Sequence, residues 1–183
     1  MGLTIAKVGG SLFDLPDLAK RLRRWMATVK GRLLLVPGGG EGADVIRRLD
    51  GMHKLGDNAA HWLALRLLTV NSEFIANLVE TDFVAHPREM ESRCGVLDAH
   101  EFCTADLLRE QPLEHSWRVT SDAVAARVAE VCKGHLTLLK STDLPDGMSW
   151  EAAADAGLVD DVFPEIVRRA RLKVTWVNFR NWK

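Results

Sequence analysis

The chain offers little for sulfur chemistry: its cysteines, Cys94, Cys103 and Cys132, are odd in number and fall in no C-x-x-C spacing. Neither a disulfide framework nor a zinc site follows from them, and reduced thiols are expected. Long apolar runs are also missing. None approaches the roughly 18–20 residues that span a bilayer, and the N-terminus shows no signal-peptide pattern, so a cytoplasmic protein without a membrane partner is expected. Charge of one sign is scarce, with 24 Lys and Arg against 25 Asp and Glu and a formal net charge of −1, which argues against a nucleic-acid partner. The exception is the acid-free stretch from Arg168 to Lys183. It reads as a helix C-terminus, where cations suit the dipole, followed by a closing strand over 172–177. Internal repeats, linkers and low-complexity segments are lacking, and 183 residues at 47% hydrophobic content predict one domain spanning 1–183. No G-x-x-x-x-G-K-[ST] occurs, so any phosphate is held otherwise than in a Walker P-loop.

What is present is a pair of glycine clusters, each closing a short apolar strand: Lys7-Val8-Gly9-Gly10-Ser11-Leu12 and Val36-Pro37-Gly38-Gly39-Gly40. They lie about thirty residues apart, the spacing of one strand-helix-strand unit. Such glycines let consecutive backbone N–H groups face a phosphate or carboxylate. Either cluster alone reads equally as a turn, but Lys7 adds to the first. An ammonium in the apolar stretch Leu3–Val8 costs free energy unless an anion meets it, and a bound phosphate is the expected partner.

The remaining pattern alternates strands and helices. Leu15 to Val29 recur at helical spacing, with Asp14 as N-cap and Pro16 in the first turn. Arg32–Val36 is a buried parallel strand. Glu41 to Leu49 reads as a short helix, and Asp57 to Val79 as a long one burying Ala60, Leu63, Ala64, Leu67 and Leu68. Phe83–Ala85 and Gly95–Leu97 read as strands and Ala99–Arg109 as a helix. Thr120-Ser121-Asp122 precedes a helix through Cys132, and strand Leu136–Lys140 leads into the loop Ser141–Gly147. Short helices at 150–156 and 164–170 precede the last strand. The pattern predicts an α/β fold, a three-layer αβα sandwich with a mainly parallel central sheet.

The ordered set Lys7–Leu12, Val36–Gly40, Thr120–Ala125 and Leu138–Gly147 resembles the amino-acid kinase superfamily along the whole chain. Within it, His53–Trp62 and Leu113–Asp122 look most like the small branch that phosphorylates an aminomethyl-furanylmethyl phosphate in methanofuran-type cofactor synthesis. The resemblance implies an ATP-dependent kinase. Lys7 would bridge the transferring phosphoryl group, and Asp122 would orient that lysine and the nearby N–H groups; Gly9, Gly10 and Ser11 would bind ATP phosphates. Lys140, Thr142 and Asp143 would border the nucleotide, and Gly38, Gly39 and Gly40 would hold the acceptor's anionic end. Mg²⁺ would ride on the ATP phosphates, with no protein metal site. Superfamily members commonly form homodimers or larger homo-oligomers, which is expected here. One departure stands out: Gly147-Met148-Ser149-Trp150 lacks the paired glycines and nearby lysine of larger members. Lys140 could supply that second positive charge, or the lid could be reduced.

Four residues carry two readings each. Asp57 and His61, at i and i+4, share a helix face and could meet the acceptor together, or form a surface pair. Trp117 could stack on a flat ring, or anchor a loop. Asp122 itself could be a first-turn acid stabilising its helix. Transfer to an anionic oxygen needs positioning and charge neutralisation rather than a strong base. The small anionic acceptor is read as a furanylmethyl phosphate, with an amino-acid carboxylate, UMP or an isoprenoid phosphate as alternatives, and a non-catalytic nucleotide- or anion-binding module as the rival class.

Overall fold

Six strands, β1 (Leu3–Val8), β2 (Arg32–Pro37), β3 (Asp82–Val84), β4 (Cys94–Leu97), β5 (His135–Lys140) and β6 (Val174–Asn178), form one sheet in a computed structural model that describes residues 2–183. Their order is β3-β4-β2-β1-β5-β6, and every pairing is parallel. The helices are α1 (Leu18–Thr28), α2 (Gly40–His53), α3 (Asp57–Val79), α4 (Ala99–Asp106), α5 (Ser121–Cys132), α6 (Trp150–Asp155) and α7 (Phe163–Arg169).

Strand side chains alternate between two cores. Leu33 and Leu35 of β2 pack with Leu22 and Trp25 of α1, whereas Leu34 and Val36 pack with Val124 of α5 and Phe163 of α7. Both faces of β2 are therefore dry, which is why its sequence is almost unbroken apolar. α3 contributes Leu65 and Leu68 to one core and Ile75, Ala76 and Val79 to the other. Its buried stripe runs through His61, Leu65, Leu68, Ser72, Ile75 and Val79, leaving Leu63 39% exposed. Apolar residues all around this helix hid which face is inward.

α1 starts later than its apolar spacing suggests. Asp17 is the N-cap residue, and Asp14 instead pairs with Arg180 at 2.7 Å. α2 runs on to His53, and the last strand lies two residues further along than expected at its start. β3 and β4 are parallel neighbours joined by residues 85–93 through a 3-10 turn rather than a helix. The three thiols are free, and burial pushes that of Cys103 up to about 12. Among the described residues no helix is long and apolar enough to cross a membrane.

The helix after β1 lies in one core and the helices after β5 in the other, so a crevice opens at the carboxyl ends of these adjacent strands. The two glycine turns meet there. A β-carbon on Gly10 would stand 2.1 Å from the Gly40 nitrogen, and one on Gly38 would stand 2.7 Å from the Gly10 nitrogen. Backbone packs on backbone, and no side chain fits between.

Gly10→Ala forces the turns apart, an overpacking cost of about 1–3 kcal/mol or more, and should lower Tm by several degrees. Gly51→Ala is the control. It lies in α2 where an added β-carbon meets nothing within 4 Å, and should leave Tm unchanged or slightly raised. Thermal unfolding of the pair checks both.

Candidate active site

Lys7 stands near the end of β1, opposite Val36 of β2 and Leu138 of β5. It is buried, and so is Asp122 at the start of α5. The Lys7 Nζ lies 3.1 Å from Asp122 Oδ1, close enough to attract it but without an aligned hydrogen bond to that oxygen. Lys140, the last residue of β5, donates from Nζ to Asp122 Oδ2 at 2.7 Å and to the Leu158 carbonyl at 2.6 Å. Two ammoniums thus share one carboxylate. The strand's buried cation is met first by protein, not left for a phosphate alone.

Burial works to raise the Asp122 pKa, but Lys7 and then Lys140 outweigh it and hold the carboxyl below its ordinary range. Burial, followed by the Lys7 charge, pushes Lys140 down to about 8 against the pull of Asp122. A second carboxylate, Asp160, stands behind. Its Oδ2 accepts from the Thr120 N–H, the Thr120 hydroxyl and the Ala123 N–H at 2.8–2.9 Å, and its Oδ1 from the Phe163 N–H at 2.9 Å. It ties the starts of α5 and α7 together. Burial and the nearby Asp122 push it up to about 6, although these donors favour its ionised form.

These groups border a cavity of about 880 Å³. Lys7, Gly10, Ser11, Gly39, Gly40 and Asp122 all line it, as do His61 and Trp117. Gly9 and Gly38 stand behind the wall. Their N–H groups donate to the carbonyls of Leu139 and Val8 at 2.9 and 2.8 Å, which holds the turns to the sheet but removes both donors from any ligand. Lys140 is likewise off the wall, its ammonium directed at Asp122 and Leu158. Thr142 and Asp143 are exposed in the loop after β5, and neither lines the cavity. The Thr142 carbonyl accepts from the Trp176 indole at 2.9 Å.

Asp57 and His61 part company. Asp57 is exposed at the first residue of α3, off the cavity, while His61, one turn later, is buried on its wall. His61 stacks on His115 with centroids 5.2 Å apart, and burial, then His115, holds its pKa below the usual value. Trp117 donates its indole N–H to Asp50 of α2 at 2.7 Å, and the Arg47 guanidinium lies 4.9 Å over its ring. Trp117 therefore both anchors a loop and faces the cavity.

Sequence reasoning missed four contributors. Asn71 of α3 donates to the Gly38 and Gly39 carbonyls at 2.8 and 3.0 Å, fixing the second glycine turn. Arg47, Asp160 and Arg180 also line the cavity. Only Arg180 left a trace in the sequence, as part of the unbalanced basic stretch near the C-terminus.

The depressed Lys140 has a measurable signature. Between about 8 in the fold and 10.5 in the unfolded chain, the unfolded chain binds the extra proton, so this group's contribution to stability rises with pH across that window. Urea unfolding at pH 8 to 10 should show wild type gaining stability relative to Lys140→Met. A constant difference would place the ammonium in an ordinary environment.

No protein-family profile matches the chain. Among curated proteins it is 26% identical to the [5-(aminomethyl)furan-3-yl]methyl phosphate kinase of Methanocaldococcus jannaschii, over 97% of this chain and 88% of that protein. Solved structures of the same fold include the uridylate kinase of Archaeoglobus fulgidus, with a TM-score of 0.66 at 14% identity over 97% of this chain and 90% of that one. The UMP kinase of Ureaplasma parvum follows at 0.65 and 12%, covering 99% and 91%, and that of Bacillus anthracis at 0.63 and 13%, covering 98% and 88%. The chain has the amino-acid kinase fold, and along nearly its whole length it is a relative of a furanylmethyl phosphate kinase.

Proposed function

We propose that this protein is an ATP-dependent kinase whose acceptor is a furanylmethyl phosphate, converted to the diphosphate. The observation that carries the reading is the buried Lys7, paired with Asp122 and set in the cavity wall beside two glycine turns in backbone contact. The kinship with a furanylmethyl phosphate kinase supports the acceptor.

ATP supplies the γ-phosphoryl group: an acceptor phosphate oxygen bonds to phosphorus as the bond to the β,γ-bridging oxygen breaks, releasing ADP. The residues present suit that donor. Gly10 and Ser11 line the cavity, the first without a Cβ, and Lys7 lines it beside them. Its role is to hold two repelling anions close and to neutralise the charge that spreads over the transferring group. Asp122 keeps the ammonium in place. Gly39 and Gly40 line the acceptor side, with His61 beside them and Trp117 offering a flat face to a ring. In this reading Mg²⁺ arrives on the nucleotide's phosphates.

In the same reading, residues 1–183 work as one cytoplasmic domain, without nucleic acid or membrane as partner. A homodimer or larger homo-oligomer is in keeping with the exposed Val45, Met52, Val70 and Phe74 of α2 and α3.

Lys7→Ala should lower turnover by at least about 10²–10³-fold with little change in Tm, because Asp122 keeps Lys140 as its partner. The deciding assay is ADP release from Mg·ATP with aminomethyl-furanylmethyl phosphate, acetylglutamate, aspartate, UMP and isopentenyl phosphate. Release with the furan phosphate alone is expected. Release with another acceptor would replace the substrate, and bound ATP without release would favour a binding module.

A further inference from the structure

The chain beyond β6 is fastened with more care than a loose terminus requires. The Phe179 N–H donates to the Lys140 carbonyl at 2.7 Å, and its ring is fully buried, edge-on to Trp25 and stacked with Trp182. Arg21 of α1, itself held by Asp17, donates from Nη1 to the carbonyls of Arg180 and Trp182 at 2.9 Å each. Arg180 therefore sits between two anchored residues, with its backbone pinned from a third direction. Its side chain reaches back to the first glycine turn. Nη2 donates to the Ser11 carbonyl at 2.7 Å and to both Asp14 carboxylate oxygens at 2.7 and 2.9 Å. Nε and Nη1 have no partner among the described residues, and the side chain lines the cavity. A guanidinium whose one edge is committed still presents its remaining N–H groups in a rigid plane.

The charges at the site are paired. Lys7 and Lys140 are matched by Asp122 and Asp160, and Arg180 by Asp14, so what Arg180 offers a polyphosphate is its unpartnered N–H donors rather than surplus charge. Among the described residues, the other cations that line the cavity are Arg47 and Arg180. Arg47 lies on α2 against Trp117, next to the second glycine turn. Arg180 is the one at the first turn, where Ser11 also hydrogen-bonds Ser141 of the loop after β5 at 3.0 Å.

We infer that Arg180 is a phosphate-binding residue of the nucleotide half of this cavity, with Asp14 orienting it; the inference rests on the ATP-dependent reading above. Ser11 and Asp14 hold the Nη2 edge, and the Nε and Nη1 donors meet the nucleotide's phosphates. The fork geometry suits phosphate oxygens better than an ammonium would.

The test is calorimetric titration of Mg·ATP and of AMP, without any acceptor, into wild type, Arg180→Gln and Arg180→Lys, with Tm measured for each. Arg180→Gln should lose roughly tenfold to hundredfold in ATP affinity but under about threefold for AMP, and Arg180→Lys should recover part of the loss. Equal losses for ATP and AMP accompanied by a lower Tm would make Arg180 a structural staple and overturn the inference. So would unchanged ATP affinity in Arg180→Gln, which would leave the kinase reading intact. ATP binding that depends on Arg180 in a protein that turns over none of the acceptors would uphold the inference while the kinase reading fails. Wild type that binds no ATP would overturn both.

Discussion

One carboxylate, Asp122, is shared by a buried and a half-buried ammonium, and that sharing organises the carboxyl ends of β1 and β5. Lys7 and Lys140 come from adjacent parallel strands, so the sheet itself brings like charges together. Neither could stay buried and charged without Asp122, because an uncompensated buried ion costs several kcal/mol. The division is unequal. Lys140 takes a short, aligned bond to Oδ2 and a second to the Leu158 carbonyl, whereas Lys7 has only an unaligned contact with Oδ1. The lysine on the cavity wall is the less satisfied of the two. In the proposed kinase, an anion entering the cavity would complete the coordination that the protein leaves incomplete at Lys7.

The glycine turns convert this charge into a position. Gly9 and Gly38 give their N–H groups to the neighbouring strand ends, so each turn hangs rigidly from the sheet. Gly10 and Gly40 then touch backbone to backbone. The separation of the two turns is fixed by the thickness of a peptide rather than by the rotamer of any side chain. Asn71 adds a brace from α3 to the second turn. The result sets two strand-to-helix turns and one ammonium on a common cavity wall, at the point where the sheet's connections change face.

What was legible in the sequence was whatever breaks a local rule. A lysine inside an apolar strand, and glycines where a strand should give way to a helix, are conspicuous against their immediate neighbours, and the acid opening α5 follows a clear helix start. The parallel sheet was legible for a similar reason, since β2 lacks any alternation. What stayed hidden depends on distance. Ser11 and Arg180 are 169 residues apart, and Asp160 sits in a stretch with no periodicity, so nothing nearby marks either. The pairing of Asp57 with His61 failed because helical spacing shows which residues share a face but not where along the helix the cavity ends. The short strands read at 83–85 and 95–97 fall within one residue of β3 and β4.

Asp160 shows how the scaffold constrains the chemistry. A second buried carboxylate so near Asp122 is electrostatically unfavourable, and its pKa is pushed up to about 6 accordingly. It stays because it satisfies donors at two helix starts at once: the N–H groups of Thr120 and Ala123 for α5 and of Phe163 for α7. Without it α5 would begin with those donors unmet, and Asp122, two residues into that beginning, would lose its fixed direction. The capping that aims Asp122 therefore adds a negative charge to the site. With its two lysines matched by two acids, and Arg180 and Arg47 by Asp14 and Asp44, the wall carries little surplus charge, and the proposed phosphate site would draw on N–H donors left without a partner rather than on net charge.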